Sequence, residues 1–464
     1  MPYRPPDMQR SIQEPPAAPG VSPSECFGFV GLDVSQDEVV ACMLGPDGQE
    51  LAAPWSIPNN QPGAQGLAQR LLHLSQTRGL RRVRIGLEAT SLYWWHLACF
   101  LKDTPTLAPL QREVYLLNPI LVKGLKKVYP DRGKNDRLDA FYIAERLRIG
   151  RLPAPFDLDL HYAPLQRLTR FRVHLAEALA REKNYFLTFL FLKFSSFGQA
   201  KTFSDPFGAT SSALLEEFTT EQLAQTPVEE LAKYLNAKGR GQFEAPDDLA
   251  ASVQRLARDS YRLDKMLDEP VALVLATTMA NIRAFQRQLE TLDKTIVREL
   301  EALPLERRVI RSVPGLGPVL TAGLVAEIGN IHRFDNEAAL AKMAGLVWNQ
   351  FQSGSFQAED TTLAKTGNAY LRYYLIEAAN SVRHNCAEYQ EYYAAKFAQS
   401  TKHAHKRALV LTARKLVRLI DSLLRAGAVY QASEARQDQR EVLTAPRAAR
   451  PQPPRRARLA AAAG

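Results

Sequence analysis

Cysteine is scarce in this chain. Only Cys26, Cys42, Cys99 and Cys386 occur among 464 residues, and no two stand in C-x-x-C spacing. That excludes a zinc ribbon or a disulfide framework and fits a reducing cytoplasm. Apolar runs of the about 18 residues that a membrane helix needs are also missing. The N-terminus is proline-rich and polar, without the apolar segment of a signal peptide. Acidic residues are the minority, 49 against 59 Lys and Arg, for a formal charge of +10. An excess of Lys and Arg suits a polyanionic partner, because these side chains neutralise phosphates and release counterions.

What is present is ordinary globular material, 46% hydrophobic and 23% charged, with length for two or three domains. Residues 1–25, rich in proline and poor in large apolar groups, read as a disordered leader. Phe27–Leu44 reads as a strand, a turn at Ser35–Asp37 and an antiparallel strand. A helix is expected over Ile57–Thr77, opening near Asn59–Pro62, a strand over Arg82–Leu87 ending at Glu88, then a helix carrying Tyr93, Trp94, Trp95, Leu97 and Phe100. A further strand at Val114–Leu117 ends at Asn118-Pro119. Strands alternating with helices predict an α/β domain over 26–157. Residues 158–303 read as a helical, coiled-coil-like arm. Its two long helical stretches flank an irregular insert with short helical pieces at about 195–245, and the second is interrupted at Pro270. Residues 304–430 form a mostly helical C-terminal domain, and 431–464 a disordered basic tail.

Three constellations carry chemistry. In Lys134-Asn135-Asp136-Arg137-Leu138-Asp139, two carboxylates stand three apart at the start of a helix whose apolar positions are Leu138, Phe141, Ile143 or Ala144, and Leu147. Gly150 and Pro153 end it. Residues three apart share a helix face, and paired carboxylates suit Mg²⁺, although acids in a first turn also simply complement the helix dipole. Asp33 at the end of the first strand and Glu88 after a later one would join them at one sheet edge. Four such carboxylates would hold two Mg²⁺ ions about 4 Å apart on a phosphodiester. Second, the run Arg311 to Gly329 contains Pro314-Gly315-Leu316-Gly317-Pro318, a helix-hairpin-helix in which Gly315 and Gly317 let backbone amides approach a DNA phosphate without reading bases. Third, Ser353-Gly354-Ser355 lies in a polar loop with Lys365 and Arg372 downstream to neutralise phosphate. A loop serine more often satisfies backbone groups than attacks anything.

The ordered set resembles the IS110/IS1111-type transposases, the DEDD recombinases that include Piv-like invertases. It comprises Gly-Leu-Asp33-Val-Ser, Glu88-Ala-Thr, Asn118-Pro119, Lys-Asn-Asp136-Arg-Leu-Asp139, Pro-Gly-Leu-Gly-Pro, Ser353-Gly, and Lys365-x-Gly-Asn-x-x-x-Arg372. The likeness spans about 28–155 and 305–385. It implies an RNase H-like (RuvC-like) domain whose metal-holding acids are Asp33, Glu88, Asp136 and Asp139, and a catalytic serine at Ser353, with Ser355 two residues on. Lys134, Arg137, Gly315, Gly317, Lys365 and Arg372 would contact nucleic acid. The implied activity is recombination of element ends with target DNA through a 5′-phosphoserine, with Mg²⁺ (Mn²⁺ as a substitute), an element-encoded guide RNA, and a dimer or tetramer at the bacterial nucleoid. The alternatives are a RuvC-like nuclease of the Holliday-junction type, hydrolysing with the same acids, and a catalytically dead nucleic-acid-binding protein.

Overall fold

A computed structural model describes residues 27–126, 135–150, 152–156, 159–200, 202–348, 352–353, 356–357, 363–364 and 366–432. The expected leader, most of the expected basic tail, Lys134, Ser355 and Lys365 lie outside the described residues. The chain divides into two compact units, Met1–Leu158 and Asp159–Gly464.

In the first unit, β1 (Phe27–Val34), β2 (Glu38–Leu44), β3 (Trp55–Pro58), β4 (Arg82–Glu88) and β5 (Gln111–Leu117) form one sheet in the order β3-β2-β1-β4-β5. β1 pairs antiparallel with β2 and parallel with β4; β4 pairs parallel with β5. The central strands are apolar on both sides because helices cover both faces. One face carries Val30, Leu32, Met43, Ile85 and Leu87 and lies under α1 (Gln61–Thr77) and α2 (Trp95–Asp103). The other carries Phe27, Phe29, Cys42, Leu44 and Leu117 and lies under α3 (Pro119–Lys126) and α4 (Asp136–Ile149). A five-stranded mixed sheet of this order is consistent with the RNase H-like class.

Two local expectations are corrected. Ile57 belongs to the edge strand β3, paired with Val39, while the helix opens at Gln61, within the expected Asn59–Pro62, where the Asn60 side chain accepts from the Gly63 amide. A four-residue strand ending in proline survives because an edge needs no donor on its outer side. Second, a separate helix, α3, precedes the acid-bearing one. Pro119 opens it, where a missing amide costs nothing, and the Asn118 side chain accepts from the Ile120 amide at 2.9 Å.

The second unit is mostly helical. Its long helices α5 (Ala163–Lys193) and α10 (Lys265–Leu300) pack along each other. They run antiparallel, since the start of α5 and the end of α10 share one core, while the end of α5 and the start of α10 share another. A bidentate Arg172–Asp293 pair bridges them at 2.5 and 3.1 Å. Between them, α6 (Ala209–Glu217), α7 (Thr220–Gln225), α8 (Val228–Lys238) and α9 (Pro246–Asp259) pack on the end of α5 and the start of α10 in one core around Phe194, Leu214, Leu231, Leu235 and Val253. The short helical pieces expected in the insert are therefore packed into a small helical subdomain. The helical break falls at Ser260–Asp264, where the Asp264 side chain caps the next helix, and not at Pro270, which sits inside α10.

The C-terminal part holds α11 (Pro304–Arg311), α12 (Pro318–Ile328), α13 (Glu337–Met343), a short hairpin β6 (Gln352–Ser353) and β7 (Phe356–Gln357), then α14 (Ala369–Asn385), α15 (Ala387–Ala398) and α16 (Ala404–Ala426). They pack on the bases of α5 and α10 around Leu324, Tyr374, Leu375, Leu416 and Ile420. No helix among the described residues is long and apolar enough to cross a membrane.

Candidate active site

Parallel pairing sets Gly31 of β1 directly beside Gly86 of β4, and Leu32 beside Leu87. The paired glycines form a slot in the sheet. A Cβ built on Gly31 would lie 2.0 Å from the Ala140 carbonyl oxygen and 2.4 Å from the Ala144 nitrogen, and one on Gly86 would press on Leu147 and Ile143. Helix α4 therefore beds directly on the two central strands through Ala140, Ile143, Ala144 and Leu147, all fully buried.

Side chains alternate along a strand. Two residues beyond each slot glycine, on the same face, come Asp33 and Glu88. Both thus emerge at the strand ends beneath the N-terminal turn of α4, which carries Asp136 and Asp139. That turn is fixed by Asn135, whose side chain accepts from the Arg137 amide at 3.0 Å.

The electrostatics register this gathering. Burial, then the charges of Asp139, Asp136 and Glu88, push Asp33 up to about 6. Burial and the charge of Asp139 also raise Glu88. One cation works against this crowding. Lys126, the last residue of α3, places Nζ 2.7 Å from Asp139 Oδ1 and draws both Asp33 and Glu88 back down. Lys126 is not legible from sequence, because no local pattern declares the helix that carries it. A legible signal did exist for the acids: Gly31-Leu32-Asp33 and Gly86-Leu87-Glu88 repeat one glycine-leucine-acid pattern.

Four hard-oxygen donors that repel one another and attract an ammonium suit a divalent cation in charge and ligand type. Among the described residues no three potential ligands stand close enough together to hold a metal ion.

The remaining expected residues lie elsewhere. Arg137 is exposed on α4. Ser353 belongs to the second unit, where β6 and β7 pair it with Phe356 at the tip of the hairpin; the bridge Trp348–Leu363 brackets that segment. Arg372, half-buried on α14, donates to the Ala344 carbonyl at 3.1 Å, and burial lowers its pKa. Gly315 (φ +90°) turns the chain between α11 and α12 and lies against α14, its carbonyl accepting from Ser381 Oγ at 2.6 Å. Internal packing thus accounts for that glycine. Gly317 opens α12 with free space where a side chain would stand.

A network that sequence reasoning missed supports α14. Glu327, fully buried on α12, accepts a fork from Arg170 at 2.7 and 2.9 Å and a bond from Asn368 Nδ2 at 2.6 Å. Asn368 in turn caps α14 through the Tyr370 and Leu371 amides. A lone glutamate in an apolar helix, followed at a distance by Gly367-Asn368, offered little to find it by.

Comparison with known proteins places both halves. The family model for DEDD transposases of IS110, described as Transposase, matches residues 30–194, and one described as Transposase IS116/IS110/IS902 family matches 307–394. The first span contains all four acids, the second Ser353, Lys365 and Arg372. The chain is also 26% identical over 400 residues to the insertion element IS116 uncharacterized 44.8 kDa protein of Streptomyces clavuligerus, covering 86% of this chain and 94% of that one.

Proposed function

The chain belongs to the IS110 family of transposases, and from that premise we propose that it recombines an insertion sequence with target DNA through a covalent serine ester. Membership in this family makes it a DNA-cleaving and strand-transferring enzyme of an insertion sequence. The observation that supports the finer reading is that Asp33 and Glu88 end neighbouring parallel strands beneath the turn that carries Asp136 and Asp139, with Asp33 pushed up by burial and then by the charges of the other three.

In this mechanism Asp33, Glu88, Asp136 and Asp139 hold Mg²⁺, with Mn²⁺ as a substitute. When bound, the ion supplies Lewis-acid polarisation of the scissile phosphate. Ser353 Oγ attacks the phosphorus and loses its proton; the new Oγ–P bond replaces the P–O3′ bond, and the departing oxygen takes up a proton to leave a 3′-hydroxyl. A 3′-hydroxyl from another strand then reverses the step, expels the serine and regenerates it. The ester conserves the phosphodiester bond energy, so rejoining needs no nucleotide cofactor. Lys365 and Arg372 stabilise the charge that builds on the phosphate. Lys134, Arg137 and the amides around Gly317 hold the DNA backbone, with α11 and α12 serving as a helix-hairpin-helix. The α5–α10 pair acts as a coiled-coil-like arm of a dimer or tetramer, and an element-encoded RNA guides the choice of target.

The test uses cells carrying the whole element and its flanks. The protein is purified under denaturing conditions, digested and searched for a nucleotide-bearing peptide. An adduct on Ser353 is expected, and Ser353→Ala abolishes both adduct and strand exchange while leaving the fold intact. An adduct on Ser355 moves the nucleophile by two residues. Metal-dependent nicking without any adduct establishes the hydrolytic, resolvase-like alternative, which draws on the fact that all four acids lie in one unit without the serine.

A further inference from the structure

The acid cluster already contains a cation, and it belongs to the protein. Helix α3 is anchored by fully buried Val122 and packs against α4. Its final residue, Lys126, directs its ammonium to Asp139 Oδ1 at 2.7 Å, with the two side chains only 33% and 19% exposed. An ordinary surface ion pair has one partner. Here the same ammonium also acts on Asp33 and Glu88, so a single positive charge serves acids from β1, β4 and α4.

We propose that Lys126 is the resident counter-ion of the carboxylate site and that a divalent ion binds by displacing it from Asp139. The inference rests on the reading that these acids hold metal. Both cations need the same carboxylate oxygens, and like charges a few ångströms apart repel strongly in a partly desolvated site. One ammonium leaves a cluster of four carboxylates undercharged, whereas a divalent ion brings twice the charge and accepts several oxygens at once. The exchange asks little of the fold. The ammonium rides a flexible four-carbon stem at the end of its helix, so it can withdraw while Val122 stays packed. Without Lys126 the unpaired acids would repel one another in the metal-free protein; with it the cluster keeps its place until the ion arrives.

Isothermal titration of Mg²⁺ into the chelator-treated full chain at pH 7.5 tests this without reference to activity. Wild type is compared with Lys126→Met, which keeps the stem and removes the charge, with Lys126→Arg, which keeps a charge, and with Asp33→Asn, which marks the heat belonging to this site. The expected result is Asp33-dependent binding that tightens roughly tenfold in Lys126→Met, the loss of one competing charge, and stays near wild type in Lys126→Arg. Asp33-dependent binding of equal or weaker affinity in Lys126→Met overturns the displacement but leaves the metal reading standing. If no variant shows Asp33-dependent binding, both fall.

Discussion

Asp33→Asn should make the metal-free protein more stable at neutral pH, although it removes a residue assigned to catalysis. Burial and three neighbouring carboxylates raise Asp33 from 3.8 to about 6. The sign follows from linkage. A carboxyl whose folded pKa lies above its unfolded value costs nothing below the unfolded pKa, and the penalty grows as pH rises through the folded one. A rise of about 2 units corresponds to about 3 kcal/mol at full ionisation. Because the side chain is partly exposed, solvent screening reduces this to about 1–2 kcal/mol. Asparagine keeps the shape without the charge. The assay is urea unfolding in a chelating buffer, followed by tryptophan fluorescence in a Trp348→Phe background, which leaves only Trp55, Trp94 and Trp95 of the first unit as reporters. The stability difference between Asp33→Asn and the parent should be near zero around pH 4 and reach its full value by pH 7.5. Millimolar Mg²⁺ should shrink it by stabilising the parent alone. A difference that stays flat from pH 4 to 7.5, or an asparagine variant that is the less stable at pH 7.5, refutes the crowding.

Three further outcomes follow from the geometry. Gly31→Ala places a methyl 2.0 Å from the Ala140 carbonyl, so α4 must shift; denaturant titration should show a loss of about 3 kcal/mol or more, whereas Gly66→Ala, in open space on α1, should be neutral or slightly stabilising. Glu327→Ala leaves Arg170 and Asn368 without their buried partner and should cost about 3–5 kcal/mol, read by calorimetry as a lower transition for the second unit, with the first unit's unchanged. Asp136→Asn should lose metal-dependent nicking of an element-end duplex while binding that duplex as before; unaltered nicking removes Asp136 from the site.

Much of the first unit was legible because its signals are local. The strand–turn–strand at Phe27–Leu44 shows in its apolar clustering around Ser35–Asp37, and the observed turn closes where Ser35 N donates to the Glu38 carbonyl. Strand β3 and helix α3 were not legible. Four residues ending in Pro58 hold too few alternations to declare a strand, and Pro119 reads equally as a strand's end and a helix's start. In the second unit, Pro270 misled because a proline near the start of a long, well-packed helix is tolerated there, while the real break at Ser260–Asp264 is drawn by capping and packing.

The sequence by itself determined the identities and order of the acids, the serine and the cations, and so the family, because spacing along the chain is what a motif records. Only the tertiary structure decided that Gly31 and Gly86 lie side by side and admit α4, that Asp33 and Glu88 therefore emerge beneath the turn carrying Asp136 and Asp139, and that Lys126 reaches Asp139. Strand register and helix packing bring together residues about 100 positions apart in the chain. No local pattern encodes that meeting, since burial and pairing are settled by all the contacts of the unit at once.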